Sequence, residues 1–142
     1  MRVLGVDFGL RRLGIAVSDE GGRLASPLRV LRVASVREAP AAVAAAAAQA
    51  GAASVVVGVP LGLEGEERRR EVRRVERFAR ALRKGSGLDV HLVDESMSTR
   101  EAEERAREAG RSARDPELHA QAAALILQRW LDRPRKPRGT AA

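Results

Sequence analysis

Two short runs, Val3-Leu4-Gly5-Val6 and Ser54-Val55-Val56-Val57-Gly58-Val59, are branched, apolar and free of polar alternation. That is the pattern of strands buried on both faces, so the sheet must have a parallel part covered by helices on two sides. Around these runs, Arg2 to Asp7, Leu13 to Ser18 and Arg23 to Val33 read as an antiparallel meander. Gly9 and Gly14 bracket its first turn, and Asp19-Glu20-Gly21-Gly22 marks its second, since glycine adopts positive φ freely. Pro27 places its strand at an edge or a bulge. The spacing predicts a helix from Val36 to Ala50, closed by Gly51. A longer helix, Glu66 to Lys84, carries Val72, Val75, Ala79 and Leu82 as its apolar stripe, with Phe78 flanking it. Asp89 to Asp94 makes the fifth strand. Ser98 and Glu101 stand at capping-box spacing, predicting a helix to Gly110. Asp115 and Pro116 fit the cap and first position of a last helix, with Leu118, Ala122, Leu125, Ile126 and Trp130 on its apolar face and an end near Asp132. The order β-β-β-α-β-α-β-α-α predicts an α/β fold: a mixed five-stranded sheet, three antiparallel strands followed by parallel strands, with helices on both faces.

The 142 residues suit one domain, residues 1–132, large enough to bury roughly 70% of its unfolded surface, followed by a basic, proline-broken and disordered tail, residues 133–142. Cysteine is absent, which excludes disulfides, thiolate metal sites and a cysteine nucleophile and suits a reducing compartment. No signal-peptide pattern is present, and the longest apolar stretch, Ala39 to Ala53, is alanine-rich and broken by Pro40 and Gln49. The chain is therefore expected in the cytoplasm.

The net charge is +7 and the sequence pI about 11.3, which calls for an anionic partner, nucleic acid first. Arg68, Arg69, Arg70, Arg73, Arg74, Arg77, Arg80 and Arg83 crowd the long helix, but Glu66, Glu67, Glu71 and Glu76 interleave with them. Pairs such as Glu66 with Arg70 and Glu76 with Arg80 make a solvated face the ordinary reading of that helix. With one Trp, two Phe and no Tyr, binding should lean on phosphates and duplex shape rather than base stacking. A kinase is excluded despite the string Asp7-Phe8-Gly9, because neither a glycine loop nor a lysine strand precedes it.

Asp7 ends the first strand, and Asp94-Glu95 ends the fifth at what should be the same carboxyl edge, where open α/β sheets place ligands. Acids from separate strands can share a hard cation, whose bound water supplies a nucleophile for phosphodiester hydrolysis. The bland alternatives stand beside this: Asp7 capping a turn, and Asp94 and Glu95 leading into a helix whose N-terminal dipole favours acids.

Gly5-x-Asp7-x-Gly9-x-x-Arg12-x-Gly14-x-Ala16-x-Ser18-Asp19 resembles the opening motif of the YqgF or RuvX family, named as Holliday-junction resolvases and having a ribonuclease H-like fold. Ser26-Pro27-Leu28, Val57-Gly58-Val59-Pro60-Leu61 with Gly65, Val93-Asp94-Glu95-Ser96-Met97-Ser98-Thr99 and Ala123-x-x-Ile126-Leu127-Gln128-x-Trp130-Leu131 resemble its later motifs, in the family's order. The resemblance implies a divalent-metal nuclease using magnesium or manganese that matures the 5′ end of the precursor of small-subunit ribosomal RNA, with cleavage of four-way DNA junctions as the alternative. A third reading is a non-catalytic RNA- or ribosome-binding protein of the same fold. The partner is structured nucleic acid, and the protein a monomer or homodimer.

By the same resemblance Asp7 and Glu95 are catalytic metal ligands, and the family's C-terminal acid falls on His119. Imidazole can bind borderline metals or move a proton, so His119 joins them as a catalytic and metal-binding candidate, with Asp94, Asp115 and Glu117 next in line. Ser96 stands where the family has Arg, a loss Arg100 could offset, and Glu64 where it has Asp. Arg11, Arg12, Arg100, Arg133, Arg135 and Lys136 are the expected nucleic-acid contacts. His91, inside the fifth strand, is expected in or near the core and has no assigned role.

Overall fold

In a computed structural model of the chain, residues 1–59, 64–94 and 117–134 are described. The expected helix from Ser98 to Gly110 and the Asp115-Pro116 start of the last helix lie outside them. Three strands, β1 (Arg2–Phe8), β2 (Arg12–Ser18) and β3 (Ala25–Arg32), precede α1 (Ala39–Ala50) and β4 (Ala52–Val59). Then come α2 (Gly65–Ser86), β5 (Asp89–Asp94) and α3 (Leu118–Leu131). The five strands form one sheet in the order β3-β2-β1-β4-β5. β1 pairs antiparallel with β2, and β2 with β3, whereas β1 with β4 and β4 with β5 are parallel. The carboxyl ends of β1, β4 and β5 therefore share one edge, as the two apolar runs require.

Pro27 lies on the edge strand β3, beside a register shift at Ile15/Ala16, where its missing N–H breaks no essential ladder bond. The turn before β3 is held by Asp19, whose Oδ1 accepts from the N–H groups of Arg23 (2.8 Å) and Leu24 (3.1 Å). Those two donors hold its carboxyl below the usual aspartate range. A 3₁₀ turn, Val36–Glu38, leads into α1, and Gly51 closes that helix in the left-handed region at φ 70°.

Strand pleating divides the core. Leu4, Val6, Val55 and Val57 face α1 and α2, while Val3, Ala16 and Val56 face α3. On α2 the buried stripe is Val75, Phe78, Ala79 and Leu82. Phe78 thus belongs to the core rather than flanking it, because Phe8 at the end of β1 meets it at 4.8 Å between ring centroids, and Val72 is only half-buried. The glutamates of α2 pair one residue nearer than expected, Glu66 with Arg69 and Glu71 with Arg74. Among the described residues neither Glu66–Arg70 nor Glu76–Arg80 forms.

His91 corrects a second expectation. It is exposed, because β5 is a sheet edge and α3 lies mainly over β1, β2 and β3, reaching β5 only marginally. Its ring rests against Trp130 at 5.0 Å. On α3, Ala123, Ile126 and Leu127 are fully buried; at about 1.5–3 kcal/mol for each large side chain, this burial anchors the helix to the sheet. Among the described residues, no helix is long and apolar enough to cross a membrane.

Candidate active site

Asp7 pairs in register with Gly14 of the neighbouring strand, and pleating turns its side chain toward α3 with Val3 and Gly5. The residue is 8% exposed, a charged group in the core region of the sheet, and burial of this kind needs a partner. The partner is His119, in the first turn of α3, whose Nδ1 lies 3.3 Å from Asp7 Oδ2.

Glycine makes that meeting possible. A Cβ at Gly14 would stand 1.9 Å from the His119 carbonyl oxygen and 2.3 Å from its carbon, so the backbone of α3 rests directly on β2 beside Asp7. About two turns along, a Cβ at Gly5 would lie 2.7 Å from Leu127 Cβ and 2.9 Å from the Ala123 carbonyl oxygen. Two glycines on adjacent strands thus form a seat for the helix. Gln128 fixes its other end: Oε1 accepts from Ala25 N at 2.9 Å, and Nε2 donates to the Arg23 carbonyl at 2.8 Å. The sequence places Gly14 at the start of the second strand, bracketing the turn before it, and gives Gln128 no task beyond its place in a motif. Gly14 does lie inside β2, but its task there is to admit α3, and the available signal was two glycines and a glutamine within otherwise apolar elements.

The hydrogen bond to Asp7 raises the His119 pKa above its ordinary value; burial opposes the shift, the Asp7 charge adds to it, and the Arg12 charge opposes it. Arg11 and Arg12 are both exposed, Arg11 in the turn before β2 and Arg12 opening that strand. The Arg11 carbonyl accepts from Val33 N at 3.0 Å, which fixes the turn. Arg133 lies elsewhere, its guanidinium 3.6 Å above the Trp130 ring while Nη1 donates to the Trp130 carbonyl at 2.7 Å. With His91 against the same indole, Trp130 has its neighbours already. Glu64, exposed, precedes α2, and Asp94 closes β5 opposite Val59. Glu95, Arg100, Asp115, Arg135 and Lys136 lie outside the described residues; Glu117 is exposed just before α3.

Among the described residues, no group of three or more His, Cys, Asp and Glu side chains could hold a metal ion. Asp7 and His119 nevertheless suit two neighbouring corners of a coordination sphere. An octahedral ion with ligands at about 2.1 Å separates adjacent donors by about 3 Å, close to the 3.3 Å found. The imidazole would have to be neutral to coordinate, so a proton and a cation compete for one place.

A mixed sheet with a buried acid at the carboxyl edge of its central strand, faced by a closing helix, defines a ribonuclease H-like domain. A solved RuvC from Thermus thermophilus in complex with a Holliday junction substrate shares this fold, with a TM-score of 0.59 and 21% identity over 92% of this chain and 94% of that one. The fowlpox virus resolvase, solved with Holliday junction DNA, is similar at a TM-score of 0.52 and 10% identity, covering 94% of this chain and 100% of that one. The chain belongs to the RuvX family: the family model described as "RuvX: Holliday junction resolvase" matches residues 1–133. Two relatives are each named "Putative pre-16S rRNA nuclease". One, from Anaeromyxobacter sp. (strain Fw109-5), is 42% identical, with 93% of this chain and 97% of the relative covered. The other, from Oleidesulfovibrio alaskensis, is 44% identical, with 94% of each covered.

Proposed function

We propose that this chain is a cytoplasmic, divalent-metal-dependent nuclease that hydrolyses phosphodiester bonds at the 5′ end of the small-subunit ribosomal RNA precursor. The observation that carries the reading is the Asp7–His119 pair, a buried carboxylate and an imidazole 3.3 Å apart at the carboxyl edge of the central strand. The names of relatives above 40% identity over nearly the whole chain support the RNA substrate. Asp7, His119 and Glu95 would hold magnesium or manganese, which when bound supplies a water of lowered pKa and neutralises charge on the phosphate.

The remaining work belongs to the chain itself. In the metal-free site Asp7 orients the imidazole through its Nδ1; with a cation held between Oδ2 and Nδ1, Nε2 would be left to hold or pass a proton. Arg11 and Arg12 draw phosphates to this edge, and Arg12 is near enough to oppose protonation of His119. The +7 charge adds long-range attraction.

The test incubates wild-type and Asp7→Asn protein with a ribosomal RNA precursor and with a four-way DNA junction, each with magnesium or manganese. Cleavage of the precursor near its 5′ end by wild type only, with equal circular dichroism for both proteins, is the expected result. Cutting of the junction alone would transfer the reading to DNA. Equal cleavage by Asp7→Asn protein, free of contaminating nuclease, would remove Asp7 from the chemistry.

A further inference from the structure

On the sheet face opposite α3, the β1–β2 turn, the 3₁₀ turn, the start of α1 and the middle of α2 enclose an open groove of about 400 Å³. Its walls are apolar: Leu10, Val36, Pro40 and Phe78 line it, with Leu10 47% and Val36 44% exposed. Three arginines, Arg37, Arg74 and Arg77, share the lining. Arg74 is paired with Glu71, but among the described residues Arg37 and Arg77 have no ion-pair or hydrogen-bond partner. Two cations without a partner among the described residues, beside exposed apolar side chains, suit a ligand that is apolar in one part and anionic in another.

One wall of the groove, Leu10, stands on the turn that follows β1, at the sheet edge that carries Asp7 but on the face opposite its side chain. Leu10 is three residues from Asp7, so at roughly 3.3–3.6 Å per residue their Cα atoms lie within about 11 Å. Leu10 is followed directly by the exposed Arg11, in the same turn, and by the exposed Arg12, which opens β2.

We propose that this groove receives an unpaired base of the substrate strand flanking the bond to be cut, with the adjoining phosphates on Arg37 and Arg77; the proposal rests on the nuclease reading and names a feature of its substrate. Every base offers an apolar face, and guanidinium planes both stack on bases and bind phosphates. The site therefore selects a strand with an unpaired flank rather than a sequence. A fully paired strand cannot deliver a base into a groove on the far side of the sheet edge.

The experiment measures binding without cleavage, in EDTA, using a blunt RNA hairpin and the same hairpin with a single-stranded 5′ extension that carries 2-aminopurine. Wild-type protein should bind the extended RNA at least about fivefold more tightly, the lower bound for one stacked base, with a change in 2-aminopurine emission. Arg37→Gln/Arg77→Gln and, separately, Ala81→Phe, which fills the groove from an exposed position of α2, should each bring the two affinities together and remove the emission change. Persistence of the preference and of the emission change in both variants would overturn the proposal. So would displacement of a peptide of alternating Leu and Glu by groove filling with no effect on RNA, which would assign the groove to an acidic protein partner. Because no cleavage is read, loss of the groove preference leaves the Asp7 chemistry standing, and failure of that chemistry leaves the groove result standing.

Discussion

Gly14 and His119 are in direct backbone contact: the place a Cβ would take on Gly14 lies 1.9 Å from the His119 carbonyl oxygen. Gly14 is also the register partner of Asp7, so the absent side chain on one strand sets how closely a helix can bring an imidazole to the carboxylate on the next.

Gly14→Ala should therefore lift the first turn of α3 from the sheet. The obstacle is backbone, which cannot rotate away as a side chain can, so the cost should reach the 1–3 kcal/mol typical of overpacking, or about 3–9 °C in melting temperature for a chain of this size. Thermal unfolding measures it, and cleavage should fall further than the stability loss explains. An unchanged melting point would mean that α3 shifts along β2 at no cost.

The Asp7–His119 pair predicts a stability that depends on pH with a definite sign. The folded-state pKa of His119 is raised above an unfolded value near 6.5. Its contribution is thus fully present below pH 6.5 and disappears as pH rises through the higher folded value. The His119 side chain is 39% exposed, so solvent screening limits the effect to at most about 1 kcal/mol. The gap in melting temperature between wild type and His119→Ala should be widest below pH 6.5 and narrow above it. In an NMR titration of wild type and Asp7→Asn, the His119 pKa should move down in the variant; an unmoved titration would sever the link.

Competition between proton and cation gives the metal prediction. Manganese should raise the melting temperature of wild type more than magnesium does, since imidazole suits the softer ion, and the rise should grow as pH increases and His119 loses its proton. His119→Asp should reverse the preference toward magnesium and flatten the pH dependence between 6 and 8. Identical metal profiles for wild type, His119→Ala and His119→Asp would exclude the imidazole as a ligand.

Phosphate attraction predicts a steep salt dependence of RNA binding, with a slope of about 0.7–0.9 per phosphate neutralised. Removing residues 135–142 should reduce that slope without altering the cleavage position. The truncation begins beyond Arg133 because that residue packs on Trp130. A new cleavage position in the truncated protein would give the tail a part in positioning substrate.

The sequence by itself determined the strands, the order of the described helices and the acid at the carboxyl edge of β1, because branched runs, alternation and 3.6-residue spacing report which face each residue presents within its own element. It also singled out His119, through the place that residue takes in a family motif. Only the tertiary structure decided that His119 reaches Asp7 across 112 positions of chain, since that contact depends on a helix docking over two strands and on Gly5 and Gly14 making room for it. The same docking left His91 exposed and gave it Trp130 as a neighbour, and the meeting of β1 with α2 drew Phe78 into the core against Phe8. Periodicity is a property of one element, whereas the distance between a carboxylate and an imidazole is a property of how two elements pack.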